Sequence, residues 1–234
     1  MKKRLIEYHS IIKQLPAPLP AKKFIPEWYK QIPSFSNSNI QYGSNGGIVK
    51  SAKNCIPFLD SLMSGYIVQL AVDVVVTDYE GSKDNKLLKW NHPDFEPVGL
   101  RGKEPNESLP TPAGHTGQHF VWKTFNIFRT PSGYSSIVTH PFNRFDLPFT
   151  TLSGIIDTDS VIQEGNLPFY IKRDFTGVIE AGTPIYQVIP FKRESWTLRE
   201  NEDLGDLANQ TKFGVRAKNF GYYKNNLWKK KDFE

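Results

Sequence analysis

The chain has 234 residues, of which 38% are hydrophobic and 23% charged, with a formal charge of +5. That balance describes a globular domain with a sizeable core and excludes a disordered or low-complexity chain. The single cysteine, Cys55, excludes an intrachain disulfide framework and an all-cysteine zinc site.

Arg4 to Leu15 carries Leu5, Ile6, His9 and Ile12 at roughly helical spacing, and the Pro16, Pro18, Pro20 run must end any helix there. The basic Met1–Arg4 is followed by Glu7, His9 and Ser10, which interrupt any apolar run, so neither a secretory signal nor a membrane span is expected from these residues. Pro26 to Lys30 is suited to a short helix with proline at its first position. Ser34 to Gly47 is rich in Ser, Asn and Gly and reads as a loop. Residues 1–47 are thus expected to be an arm laid on the body rather than a separate domain.

A body spanning residues 48–197 follows. Ile56 to Met63 predicts a short helix ended by Gly65. Tyr66 to Val76 alternates cleanly, with Tyr66, Val68, Leu70, Val72, Val74 and Val76 on one face, and predicts one long strand. Asp73 within it predicts either a solvated face or an ion pair with Arg129 or Arg144. Leu87 to Trp90 is another strand, and Asn91 to Gly117 is a long Pro/Gly-rich stretch that covers the core or lines a site. Strand signals then recur at Phe120–Ile127, Ser135–Thr139, Phe149–Ile156, Pro168–Lys172 and Ile185–Phe191. No helical pattern long enough for a parallel crossover separates them. The fold class expected is mainly β, an antiparallel sandwich or jelly-roll-like barrel with short helices and extended terminal arms. Residues 198–234 form the C-terminal arm, with a short helical turn at Asp203 to Asn209 and an aromatic stretch from Phe213 to Trp228.

Several residue groups could carry chemistry. His115, His119 and His140 could converge, but the glycines around the first two argue for loop histidines bonded to backbone, so no metal site and no cofactor are expected. Asp157 and Asp159 alternate about Thr158; they would share a strand face and suit Mg²⁺ with substrate phosphates, or else belong to a turn. Cys55 reads as a small core residue. The lysines at the two ends read as solvated tails, so nucleic acid is not an expected partner. The chain holds 16 Phe, 10 Tyr and 5 Trp, and the arms carry Trp28, Tyr29, Trp196, Phe213, Phe220, Tyr222, Tyr223 and Trp228. Such arms favour interfaces and predict a homo-oligomer or a protein partner.

Two resemblances bear on function. Thr130 to Ser135, His140 to Arg144, Gly154 to Asp159 and Gly182 to Glu194, within Ile25 to Trp196, resemble an uncharacterised family encoded by tailed bacteriophages. That resemblance implies expression in a host bacterial cytoplasm, with incorporation into the virion as a further option. The order Tyr134–Ser135–Ser136, Gly154–Ile155–Ile156–Asp157 and Gly182 to Phe191 is similar to the dUTPase and dCTP-deaminase superfamily, whose members are trimeric β-barrels with nucleotide sites between subunits. That resemblance implies Ser135 and Ser136 as phosphate donors, Asp157 as the water-activating base and Gln187 as a supporting or phosphate-contacting group. It also implies a trimer. The sequence departs from the superfamily pattern in three places. Tyr134 stands where an arginine is usual, Asp157 to Ser160 lacks the aromatic–Arg–Gly continuation, and the C-terminal arm lacks a glycine-rich phosphate cover. These departures remove electrostatic elements of phosphate chemistry. The expectation is therefore a non-catalytic phage structural or accessory protein that self-associates or binds a partner through its aromatic arms. The alternative is an Mg²⁺-dependent nucleotide-binding or nucleotide-hydrolysing protein.

Overall fold

Period-two apolar patterning and turn-forming punctuation produce sixteen strands among the described residues of the computed structural model, which are 4–36, 49–101, 109–217 and 222–234. In chain order these begin with β1 (Glu7–Ser10), β2 (Leu19–Pro20), α1 (Glu27–Gln31), β3 (Phe35–Ser36), β4 (Val49–Lys50) and α2 (Ile56–Met63). Next come β5 (Tyr66–Gln69), β6 (Val74–Tyr79), β7 (Ser82–Trp90), β8 (Val98–Leu100), β9 (His115–Thr124) and β10 (Asn126–Arg129). The series ends with β11 (Tyr134–Thr139), β12 (Phe149–Thr151), β13 (Gly154–Ile156), β14 (Gly165–Lys172), β15 (Gly177–Ile179), β16 (Pro184–Lys192) and α3 (Leu204–Ala217).

Every described strand pair is antiparallel. A five-stranded sheet runs β13–β11–β16–β5–β2, a four-stranded sheet β12–β14–β9–β8, and a three-stranded sheet β15–β6–β7. The architecture is a mainly antiparallel, jelly-roll-like β-sandwich with a few short helices. One compact unit comprises Met1–Pro26, Leu62–Arg193 and Phe233–Glu234 and holds all three of these sheets. Its core draws Val68, Val138 and Val188 from the first sheet, Phe120, Trp122, Phe149, Phe169 and Ile171 from the second, and Val74, Val76 and Ile179 from the third. Trp122 stacks on Phe169 at 3.7 Å and meets Phe149 edge-on at 5.0 Å. Its indole N–H donates to Thr151 Oγ1, and that hydroxyl donates to Ile185 O, so the one polar corner of the ring is satisfied.

The other unit comprises Glu27–Ser61 and Glu194–Asp232. Trp28, Tyr29 and Phe58 form its ring cluster. Asp60 accepts from Trp228 Nε1 at 2.8 Å and from Lys231 Nζ at 2.6 Å, so part of the aromatic arm docks within its own unit.

Several elements differ from their sequence patterns for identifiable reasons. The Tyr66–Val76 pattern is two strands in two sheets. Leu70 N–H bonds Thr183 O, its carbonyl accepts from Gly182, and Asp73 accepts from Ala181 N–H, so the chain turns a corner there. Val68, Leu70, Val74 and Val76 still reach one core, which is why the alternation runs through the corner. Asp73 is exposed and bonded to backbone; Arg144 pairs with Asp146 instead. Residues 7–10 are a strand rather than helix, since β10 offers an edge for pairing that outweighs a weak helical spacing. The 91–117 stretch contains β8 and the start of β9, with 102–108 outside the described residues. The Ser34–Gly47 loop also lies mostly outside them, with β3 pairing β4 at its ends. Cys55 is exposed, at the entrance to α2, where its carbonyl accepts from Leu59 N–H. The short turn expected at Asp203–Asn209 is the 14-residue helix α3.

Candidate functional site

The start of β11 lies between two flanking strands, and their registers bring distant residues to one spot. Ser136 pairs with Ile156 on β13, so the next step outward sets Ser135 beside Asp157. On the other flank Tyr134 pairs with Lys192, and one step further Arg193 N–H donates to Gly133 O at 2.8 Å. Alternation puts residues 133 and 135 on one face, so the Ser135, Asp157 and Arg193 side chains meet there. A tight turn closes Tyr134 N–H on Pro131 O, with Gly133 at a φ of +83°, a conformation that glycine adopts without strain. The Asp157–Val161 segment is also a turn, closed by Ser160 and Val161 N–H groups on Asp157 O.

Ser135 Oγ donates to Asp157 Oδ1 at 2.6 Å and accepts from Arg193 Nη1 at 3.1 Å. Arg193 Nη1 also reaches Asp159 Oδ1 at 2.8 Å, Asp157 Oδ1 at 3.2 Å and Tyr134 O at 3.2 Å, while Nη2 bonds Asp159 Oδ2. Gly133 N–H donates to Asp159 Oδ2 at 2.8 Å. The Arg193 guanidinium, followed by the Gly133 N–H, holds the Asp159 carboxyl down at about 2. The two carboxylates differ in setting: the Asp159 side chain is 8% exposed and the Asp157 side chain 55%. Ser135 itself is fully buried. The arrangement combines an open carboxylate, a hydroxyl bonded to it, and a cation within reach of both.

Ser136 is also fully buried but bonds elsewhere, to Thr158 Oγ1 at 3.0 Å, and Thr158 Oγ1 bonds Thr130 Oγ1 at 2.8 Å. These three hydroxyls tie the turns on either side of the site together. Gln187 lies four positions along β11 from Ser135, opposite Thr139. It accepts from Phe142 N–H at 2.9 Å and donates to Ser64 O, spanning two loops within the body. Within one chain Ser135 and Asp157 come together, whereas Ser136 and Gln187 bond to other partners.

His115 and His119 both fall on β9. His115 bonds Ala113 O and Thr150 Oγ1, each at 3.0 Å. His140 Nε2 bonds Arg144 O at 3.0 Å and Nδ1 accepts from Thr151 N–H at 3.3 Å, so its ring is neutral with hydrogen on Nε2. Burial pushes the His140 and His119 imidazoles below the usual histidine range. No group of three or more His, Cys, Asp or Glu side chains able to hold a metal occurs among the described residues.

Arg193 was not singled out by sequence. It comes from the far end of β16, and only the pairing of β11 with β16 brings it beside Ser135.

No family model matches the chain, and no curated protein does. Solved structures do. A dUTPase of phage phi11 of S. aureus aligns with a TM-score of 0.39 at 11% identity, covering 85% of this chain and 97% of that one. A dUTPase of Staphylococcus bacteriophage 80alpha aligns at 0.38 and 14% identity, covering 86% and 97%. Another structure of the 80alpha enzyme, with dUpNHpp, aligns at 0.37 and 14% identity, covering 86% and 89%. All three are phage dUTPases. The expectation of a non-catalytic structural or accessory protein working through aromatic arms gives way to its alternative on the site's own geometry, the meeting of Ser135, Asp157 and Arg193. No helix among the described residues is long and apolar enough to cross a membrane.

Proposed function

We propose that this chain binds and hydrolyses nucleoside triphosphates, taken up as their Mg²⁺ complexes, in the cytoplasm of a phage-infected bacterium. The observation that carries the reading is the convergence, at the start of β11, of Ser135 with Asp157 and Arg193, which lie one residue beyond β13 and β16. Asp157 is the base: its half-exposed carboxylate accepts a proton from the water that attacks phosphorus. Ser135 orients that carboxylate by donating its hydroxyl hydrogen to it. Arg193 supplies the positive charge that offsets the negative charge spread over the phosphoryl oxygens as the bond to the leaving oxygen breaks. Ser136 supports the site through Thr158, and Gln187 supports it by fixing the loops at Phe142 and Ser64.

A trimer is the assembly we propose, with the turns that carry Ser135 and Asp157 facing a neighbouring copy. The exposed Ile155 on β13 and the exposed Val161 and Ile162 just beyond Asp157 favour such a contact. Mass measurement by light scattering in solution tests it; a monomer at working concentration refutes it.

Hydrolysis is tested by incubating purified protein with each deoxynucleoside triphosphate and Mg²⁺ and following phosphate and pyrophosphate release. Turnover of at least one triphosphate is expected, lost in Asp157→Asn. Absence of turnover across dUTP, dCTP and the other triphosphates overturns the reading.

A further inference from the structure

Arg193 Nη1 carries two hydrogens, yet four oxygen acceptors lie within 3.2 Å of it: Asp159 Oδ1, Ser135 Oγ, Asp157 Oδ1 and Tyr134 O. Two hydrogens cannot serve four acceptors well, so the contacts are unequal. Asp159 is held most firmly. It takes bonds from both Nη1 and Nη2, receives the Gly133 N–H as well, and its side chain is almost out of solvent. Asp157 receives one long contact from the guanidinium and stays open to water. The guanidinium is therefore bound at one end and loosely placed at the other.

We infer that Arg193 is an exchangeable counter-ion, fixed to Asp159 and capping Asp157 in the free protein, that passes to the phosphates when a metal–triphosphate enters. The inference rests on the nucleotide reading above and deepens it. The charge arithmetic favours the exchange. Without ligand, one guanidinium faces two carboxylates, and the surplus negative charge repels a bare phosphate. The divalent ion carried by the triphosphate faces Asp157 through one of its bound waters, so the carboxylate stays free to act as base; the Nη1 contact is released, and its hydrogen turns to a phosphate oxygen while the fork on Asp159 stays intact. Asp159 is accordingly a positioning residue rather than a metal ligand. No bond other than hydrogen bonds changes in this step.

The exchange makes two predictions of opposite sign for one variant. In Arg193→Ala the cap is gone, so Mn²⁺ alone binds Asp157 more tightly, by about threefold or more, as expected from removing a unit charge beside a solvated dication. Inorganic triphosphate with Mg²⁺ binds more weakly, by about tenfold or more, because a charge-assisted bond is lost. Arg193→Lys keeps the charge without the fork and recovers part of the triphosphate affinity. Asp159→Asn leaves the arginine but removes its anchor and one negative charge, weakening triphosphate and lowering Mn²⁺ affinity as well. Mn²⁺ binding is read by electron paramagnetic resonance, triphosphate binding by calorimetry, and folding by the melting midpoint of each variant. Unchanged triphosphate affinity in Arg193→Ala overturns the exchange, as does Mn²⁺ affinity that falls or stays level. Wild-type protein that binds no inorganic triphosphate overturns it too. Because these probes carry no base and need no turnover, their failure is separate from a failure to hydrolyse nucleotides, and Arg193→Lys shows whether a lost affinity is a folding defect.

Discussion

Replacing Asp157 by Asn separates a chemical role from a structural one. The change keeps the shape of the side chain and leaves an amide oxygen to accept the Ser135 hydroxyl, now bonded at 2.6 Å. What it removes is one negative charge. In the folded protein that charge meets Arg193 at 3.2 Å, with the two side chains 41% and 55% exposed. A pair that open, screened by solvent, contributes little to stability. Because Arg193 keeps its fork on Asp159, the variant should melt within a few degrees of the wild type. Proton acceptance is another matter: an amide cannot take a proton from water, and general bases contribute roughly 10²- to 10⁴-fold to rate. That range corresponds to about 3–5 kcal/mol on the barrier. The expected result is a loss of turnover of about 10²-fold or more, with binding of the triphosphate nearly unchanged. Phosphate release under saturating Mg²⁺–nucleotide, calorimetric affinity and a thermal melt measured on the same preparations decide it. Wild-type turnover in the variant refutes the base assignment, and a parallel loss of melting temperature and affinity refutes the claim that Asp157 is structurally dispensable.

Three further outcomes follow from the geometry. Gly65 has a φ of +70°, and a Cβ there would lie 2.1 Å from Val188 O, so Gly65→Ala should destabilise the protein by more than about 2 kcal/mol in a denaturant titration; near-wild-type stability would show that β5 can shift away from β16. Asp159 titrates at about 2 against an ordinary 3.8, so its contribution to stability is complete above pH 4 and is lost as the pH falls from there through 2. Arg193→Ala should flatten that acid limb of the stability curve, and an unchanged limb refutes the pairing. His140 is held neutral by burial, its folded pKa below the ordinary 6.5, so stability is complete above 6.5 and declines as the pH falls below it. The ring's titration by NMR should lie below that of a model imidazole; a midpoint at or above 6.5 refutes the assignment.

Much of the fold is legible locally because the information is local. Alternation at Ser135–Thr139 and Ile185–Phe191, and the glycine after Ile56–Met63, each act within a few residues, and the corresponding elements form close to their expected bounds. What fails locally is decided by remote backbone. The Tyr66–Val76 run has one unbroken alternation, yet Gly182 and Thr183, more than a hundred positions away, take the hydrogen bonds of Leu70 and end the strand. The first strand was hidden for the same reason: its partner, β10, lies over a hundred residues downstream.

The site divides along the same line. Ser135 and Asp157 are twenty-two positions apart and carry a readable order, but their bond depends on the β11–β13 register that places residue 135 against residue 157. Arg193 carries no motif. The position that would ordinarily be watched for a cation beside the serines is 134, and it holds tyrosine. A guanidinium need not come from the same strand, since what phosphate chemistry requires is a charge at a point in space. β16 pairs with β11 through six consecutive positions and ends one residue before the turn glycine's partner, so its next residue reaches the same point from the other side. Register therefore substitutes for motif: in the function proposed here, Arg193 brings to the site, from a different strand pairing, the cation that Tyr134 does not supply.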